Sequence, residues 1–319
     1  MLIRRPVVWW FSVGLVVSGS GVVSGQDFPN KPIRMVAPAA GGGGNFIARL
    51  IAQGLTESLG TQVVVDNRGI FAAEILAKAP PDGYTLLFYG NTIMLMPFLR
   101  NNVPFDPIKD FLPVTLAVSS PYILVVHPSF PVNSVKALID LAKSRPGTFN
   151  YGSAGSGSST HLASALFTSM AGIDIVHVPY RGAGPALIDL IGGQVQLMFP
   201  SAVSAAPHVK SGKLRALAVT SAEPSALLPG LPTIAASGLP GYESIQMYGV
   251  FAPAKTPAMI INQLNREIVR VLDMADVKEK LLTTGVEAVG SSPERFAAIM
   301  KSEMARMGKV IKDSGIRAE

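Results

Sequence analysis

The chain has 319 residues, no cysteine, 27 Lys and Arg against 21 Asp and Glu, and 48% hydrophobic residues. A chain of this size buries a core without disulfides and usually divides into more than one lobe. Its net charge of +6, without clusters of Lys and Arg interleaved with aromatics, excludes a nucleic-acid footprint and leaves a mild positive field that favours acidic solutes on encounter.

The first 25 residues read as a secretory leader. Arg4 and Arg5 precede an apolar run from Val7 to Val17, and a small-residue stretch ending Val23-Ser24-Gly25 predicts a cut before Gln26. A retained anchor is the weaker reading, because the run holds Ser12 and Gly14 and falls short of the about 20 apolar residues that span a bilayer. The general export route fits better than a twin-arginine one, and without cysteine there is nothing to acylate. Loss of Arg4 and Arg5 takes the formal charge to +4.

Short β-branched runs then alternate with amphipathic helices. Ile33 to Ala37 is a predicted strand, and Asn45 precedes a helix whose Ile47, Ile51, Leu55 and Leu59 share a face until Gly60 closes it. Strands at Gln62 to Asp66 and Thr85 to Tyr89, with a short helix from Ala72 to Ala79 between them, complete a βαβαβ unit with a parallel sheet. After Pro121 the alternation restarts. Strands are expected at Tyr122 to Val126, Asn150 to Ser153, Ile175 to Val178, Val195 to Phe199 and Leu214 to Thr220. Helices are expected at Val135 to Lys143, Thr160 to Met170 and Pro185 to Ile191, with a short one near His208. A Pro- and Gly-rich connector runs from Pro229 to Gly241. Thr256-Pro257 and Ser292-Pro293 then each place a cap before a first-turn proline. Phe296, Met300, Met304, Met307 and Ile311 form one stripe of the last helix, a spacing that marks core.

Two strand-to-helix loops carry the unusual chemistry. In Pro38 to Asn45, four glycines let the backbone approach a solute, and the helix start offers free N–H donors at the positive end of a dipole. The same run serves equally well as a flexible turn with Asn45 as an ordinary cap. Gly152 to His161 repeats the geometry and adds hydroxyl donors, so the two loops would converge outside the carboxyl ends of their strands. Enzymatic motifs fail here. No serine from Ser153 to Ser159 has the glycine flanks of a nucleophile elbow, and no Gly-Lys-Ser/Thr ends a phosphate loop. Thr160 stands where a dinucleotide fingerprint needs Gly or Ala, and the four histidines lack metal-ligand spacing. His161 reads as a capping or packing histidine before it reads as a catalytic base.

The order of motifs resembles a known family. Lys31-Pro32-Ile33-Arg34, Asn67-Arg68, Pro81-Asp82-Gly83-Tyr84-Thr85-Leu86-Leu87, Asn150-Tyr151-Gly152-Ser153-Ala154-Gly155, His161-Leu162-Ala163, His177-Val178-Pro179-Tyr180-Arg181-Gly182, Gly192-Gly193-Gln194-Val195-Gln196 and the run from Gly212 to Thr220 are similar to the Bug-type solute receptors of tripartite tricarboxylate transporters, essentially from Phe28 onward.

That resemblance implies an α/β, type II periplasmic-binding fold: lobe 1 from residues 26–122 plus 250–319, lobe 2 from 123–249, and crossing strands near Tyr122 to Val126 and Met247 to Ala252. It implies a monomer that takes a small organic carboxylate, without cofactor or metal, and passes it to membrane subunits of the transporter. The implied ligand-binding residues are Gly41, Gly42, Gly43, Asn45, Ser153, Ala154, Gly157, Ser158, Ser159, Tyr180, Arg181, Pro200, Ser201 and Tyr248. The chain departs from the pattern at Asn45 and Pro200, where aspartate is usual, and in a shortened segment from Gly69 to Ala73. A sensor subunit acting with a membrane histidine kinase shares the capture fold and is the second reading. A periplasmic hydrolase, lacking a nucleophile and base, is the third.

Overall fold

The computed structural model describes residues 28–39 and 43–317; the leader, its cut before Gln26, and Gly41 and Gly42 lie outside the described residues. The first strand, β1 (Ile33–Ala37), turns Ile33, Met35 and Ala37 to one face and Val36 to the other, all fully buried. A strand covered by helices on both sides requires that pattern. Helix α1 (Gly43–Leu59) covers the first face with Ile47, Ile51 and Leu55 and ends at Gly60, whose φ of 64° suits a left-handed terminus.

The remaining elements follow in order: β2 (Val63–Asn67), α2 (Ala72–Ala77), β3 (Thr85–Gly90), α3 (Thr92–Leu99), β4 (Phe111–Pro121), β5 (Ile123–Val126), α4 (Val135–Ser144), β6 (Asn150–Ser153), α5 (Ser159–Ala171), β7 (Val176–Pro179) and α6 (Ala183–Ile191). They continue with β8 (Leu197–Met198), α7 (Ala202–Lys210), β9 (Arg215–Val219), β10 (Ile245–Pro253), α8 (Ala258–Asp273), α9 (Ala275–Thr283), β11 (Glu287–Ala288) and α10 (Pro293–Asp313).

These strands form two sheets with one plan. The first runs β2-β1-β3-β10-β4 with β11 added at the β4 edge, and the second runs β7-β6-β8-β5-β9. In each, the first three strands are parallel and the fourth is antiparallel to both its neighbours. By this plan β1 and β6 occupy equivalent places, as do β3 and β8.

The chain passes from the first sheet to the second at Tyr122 and returns at Ser244. There Tyr122 N donates to Thr220 Oγ1 (2.7 Å), Thr220 N to the Tyr122 carbonyl (3.0 Å) and Ser244 N to the Thr220 carbonyl (2.9 Å). Helix α10 spans both halves. Phe296 and Met300 belong to the core of the first sheet, whereas Met307, Val310 and Ile311 pack with Leu95 and Leu99 of α3 and with Leu162 and Leu166 of α5.

Several boundaries differ from expectation for local reasons. Asn45 is not a cap but the third residue of α1, because the glycine run itself enters the helix. Thr256 gives its hydroxyl to the Pro253 carbonyl (2.8 Å), which leaves Pro257 as the cap of α8, while Ser292 caps α10 as its sequence suggests, accepting from Arg295 N. Helix α6 begins two residues before Pro185, a position in the first turn where no intrahelical N–H is lost. The strand expected over Val195 to Phe199 pairs only at Leu197–Met198.

Candidate functional site

At the carboxyl ends of β1 and β6 the chain runs through residues 38–42 and 154–158 into α1 and α5, so the two glycine-rich loops hold equivalent positions in the two sheets. Neither helix carries an acid in its first turn, so the positive end of each dipole is not neutralised there.

The first loop is closed by one side chain. Asn67 Nδ2, at the end of β2, donates to the Pro38 carbonyl (2.6 Å) and to Asn45 Oδ1 (2.8 Å), while Arg49 Nη2 donates to Asn67 Oδ1 (3.2 Å). A carbonyl can only accept and a guanidinium can only donate, so the polarity of the whole relay is set. Asn45 therefore spends its oxygen on Asn67 and keeps its Nδ2 as a donor unused among the described residues. Gly44 follows a different demand: a Cβ there would stand 2.9 Å from Tyr248 Cε1. The Tyr248 ring lies on the first-sheet side of the site, against Gly44 and Gly90, stacked on Phe88 at 5.5 Å, with its hydroxyl accepting from Gln246 (3.1 Å).

The second loop rests on two histidines. Register pairs Tyr151 of β6 with His177 of β7, so their rings lie on one face and stack at 4.9 Å, and His161 of α5 stacks on His177 at 3.8 Å. His161 Nδ1 accepts from Gly157 N (3.0 Å) and His177 Nε2 meets Ser153 Oγ (2.7 Å), while Ser153 also bonds across the turn to Gly155. Because a backbone N–H can only donate, His161 must be neutral with its proton on Nε2. Burial first, and the neighbouring His177 second, lower its pKa from 6.5 to about 4. Burial also lowers that of His177. Gly155 and Gly157 take φ of 125° and 73°, which only glycine adopts without strain.

Ser158 is the cap of α5, its Oγ accepting from His161 N (3.3 Å) and meeting Thr160 Oγ1 (3.1 Å). Ala154 N donates to Thr160 Oγ1 (2.9 Å). Ser159 opens the helix and, with Asn91, Thr92 and Tyr122, lines a small cavity where the two halves meet. Pro200 and Ser201 follow β8 at the place equivalent to the end of β3. The Pro200 carbonyl accepts from Ile123 N (2.9 Å), and Ser201 bridges to Tyr122 and caps α7. Tyr180 packs against Gly152 and gives its hydroxyl to Asp189 (2.8 Å); burial and that acid raise its pKa to about 12. Arg181 is exposed, with no ion pair among the described residues.

The structure thus brings Gly43, Asn45 and Tyr248 to one loop and Ser153, Ala154, Gly157, Ser158 and Ser159 to the other. Tyr180 is held on α6 by Asp189. A groove of about 710 Å³ between α3 and α10 contains none of these residues. Among the described residues no cluster of metal-ligating side chains occurs, and no helix is long and apolar enough to cross a membrane.

Residues 47–316 match the sequence profile of the tripartite tricarboxylate transporter family receptor. The chain belongs to that receptor family. A Pseudomonas relative described as a UPF0065 protein in the tcbD-tcbE intergenic region is 39% identical to this receptor over 99% of its chain and 96% of the relative's. An R. palustris protein solved with adipate is 38% identical, with a TM-score of 0.73 and coverage of 91% and 99%. The periplasmic binding protein BugD is 31% identical, with a TM-score of 0.71 and coverage of 92% and 100%. The receptor accordingly has the two-lobed α/β fold of type II periplasmic-binding proteins, and it is a solute-binding receptor by family. Asn67 and His177 stand in its recognisable motifs, but their tasks were hidden, because each acts on a loop distant in sequence.

Proposed function

We propose that this receptor captures a small dicarboxylate between its two sheets and delivers it to the membrane subunits of a tripartite tricarboxylate transporter. The observation that carries the reading is the equivalence of the two loops: neutral donors at the start of α1 and of α5 occupy matching positions, each braced by a side chain from the neighbouring strand. Backbone N–H groups and hydroxyls at two helix starts suit one carboxylate, and the adipate-bound relative supports two carboxylates joined by a short chain. Residues 28–121 with 245–317 form one lobe and 123–219 the other, turning about Tyr122, Thr220 and Ser244 as the cleft closes. The mature chain begins near Gln26, works in the periplasm as a monomer, and returns its ligand chemically unchanged.

Titration calorimetry with adipate tests this on Ser158→Gly, which keeps most of the capping but removes the hydroxyl. A hydrogen bond to a charged group is worth about 1.5 to 3 kcal/mol, so affinity should fall by roughly 10- to 150-fold. Unchanged affinity removes the second loop from the site, and recovery of a converted product makes the protein an enzyme.

A further inference from the structure

Among the described residues every Tyr and Phe side chain is buried or half-buried except two, and both stand at the first loop. Phe46, 43% exposed, is in the first turn of α1, and Phe71, 62% exposed, ends the short 3₁₀ turn Gly69–Phe71 that follows β2. β1 and β2 are paired to their last residues, Ala37 with Asn67, so both aromatics leave the sheet at one end. The turn sits against the loop: a Cβ on Gly69, whose φ is 56°, would lie 3.8 Å from Ala39 Cβ. Single exposed apolar side chains need no explanation, but two aromatics confined to the rim of one binding loop do. The loops between them hold no charged residue from Pro38 to Asn45 or from Ser153 to His161, so nothing there is built for a densely charged ligand.

We infer that Phe71, with Phe46 across the same loop, supplies an apolar wall that selects carboxylates with an apolar body, an alkyl chain or ring, over hydroxylated or tricarboxylate solutes. The inference rests on the carboxylate reading above and names the class of ligand. The segment from Gly69 to Ala73 gives the wall its place: Gly69 brings the turn against Ala39, and Phe71 follows two residues later at the end of that turn.

Adipate and galactarate separate the two ideas, because they share chain length and both carboxylates and differ only in four hydroxyls. Calorimetry on the mature protein should give adipate an affinity at least about 10-fold tighter, the order expected from taking one to two methylenes out of water. Phe71→Ser should reduce adipate binding by about 10-fold and galactarate binding by less than about 2-fold. Phe46→Ser should act in the same direction. Both positions are exposed, so melting curves should stay close to wild type. Equal affinity for the two ligands, or an adipate preference that survives Phe71→Ser, overturns the wall and leaves the carboxylate site standing. Binding of neither ligand overturns the carboxylate reading itself, and the wall with it.

Discussion

Asn67 holds Asn45 by its side-chain oxygen, so the first loop is pinned at its exit by the same amide that grips Pro38 at its entrance. An aspartate at position 45 would keep that bond, now charge-assisted, and would place an acid in the first turn of α1, where the helix dipole favours it. Its other oxygen, however, would replace an amide donor by a negative charge.

Asn45→Asp should therefore leave the melting temperature equal or slightly raised and weaken adipate binding. A charge about 6 Å from a ligand carboxylate costs about 0.7 kcal/mol at the dielectric of water and about 3 at an effective value of 20, or roughly 3- to 150-fold in affinity. Calorimetry at two salt concentrations checks this, with the smaller loss expected at high salt. Tighter binding by the aspartate variant would mean that the ligand presents a cation to this helix start.

The His161–His177 stack predicts an acid-sensitive fold. The groups facing it are the two rings and Tyr151, whose phenol burial pushes up; among the described residues no carboxylate is hydrogen-bonded to either ring, and Asp189 of α6 is taken by Tyr180. His161 titrates near 6.5 when unfolded and at about 4 when folded, so the unfolded chain binds more protons between those values. Stability is complete above about pH 6.5 and falls as the pH drops towards 4, by up to about 3 kcal/mol. His161→Asn offers Gly157 an acceptor that does not titrate. Urea unfolding from pH 7 to 4 should show a shallower acid loss in that variant, and equal slopes would place the sensitivity elsewhere.

Thr220 is fully buried where the chain changes sheets, and its hydroxyl both accepts from Tyr122 N (2.7 Å) and donates to the Tyr122 carbonyl (3.0 Å). Thr220→Val keeps the volume but leaves a buried N–H unpaired, at a cost of about 1 to 3 kcal/mol. Chemical denaturation measures the loss. A loss below about 0.5 kcal/mol would show that Tyr122 N finds another acceptor.

Met307, 1% exposed, is the point at which α10 joins α3 and α5 in one core. Met307→Ala should cost about 2 to 5 kcal/mol and lower a single melting transition rather than split it. A second, earlier transition would show that the two halves unfold independently.

Much of this was legible in the sequence where side chains repeat. Ile47, Ile51 and Leu55 announce α1, and Phe296, Met300, Met307 and Ile311 announce the buried stripe of α10. Helix α3 was not, because Ile93, Met94 and Leu95 are buried in succession, Pro97 interrupts its end, and an almost wholly apolar run has no period to read. Strand β4 carries prolines at 113 and 121, which disguise it. At the site, the glycine and serine runs marked both loops, but what fixes their shape comes from other strands. Asn67 lies 22 residues from Asn45, and His177 lies 24 from Ser153. Asn45, one candidate cap by sequence, lies inside the helix instead, because the glycine run itself enters α1.

The crystal structure of the mature protein with adipate tests the central claim most directly. One carboxylate should accept hydrogen bonds, at about 2.7 to 3.2 Å, from N–H or hydroxyl groups at the starts of both α1 and α5, with the methylenes against Phe71. Adipate seated away from both loops, for instance in the groove between α3 and α10 beside Phe98, Lys309 and Lys312, would contradict the account.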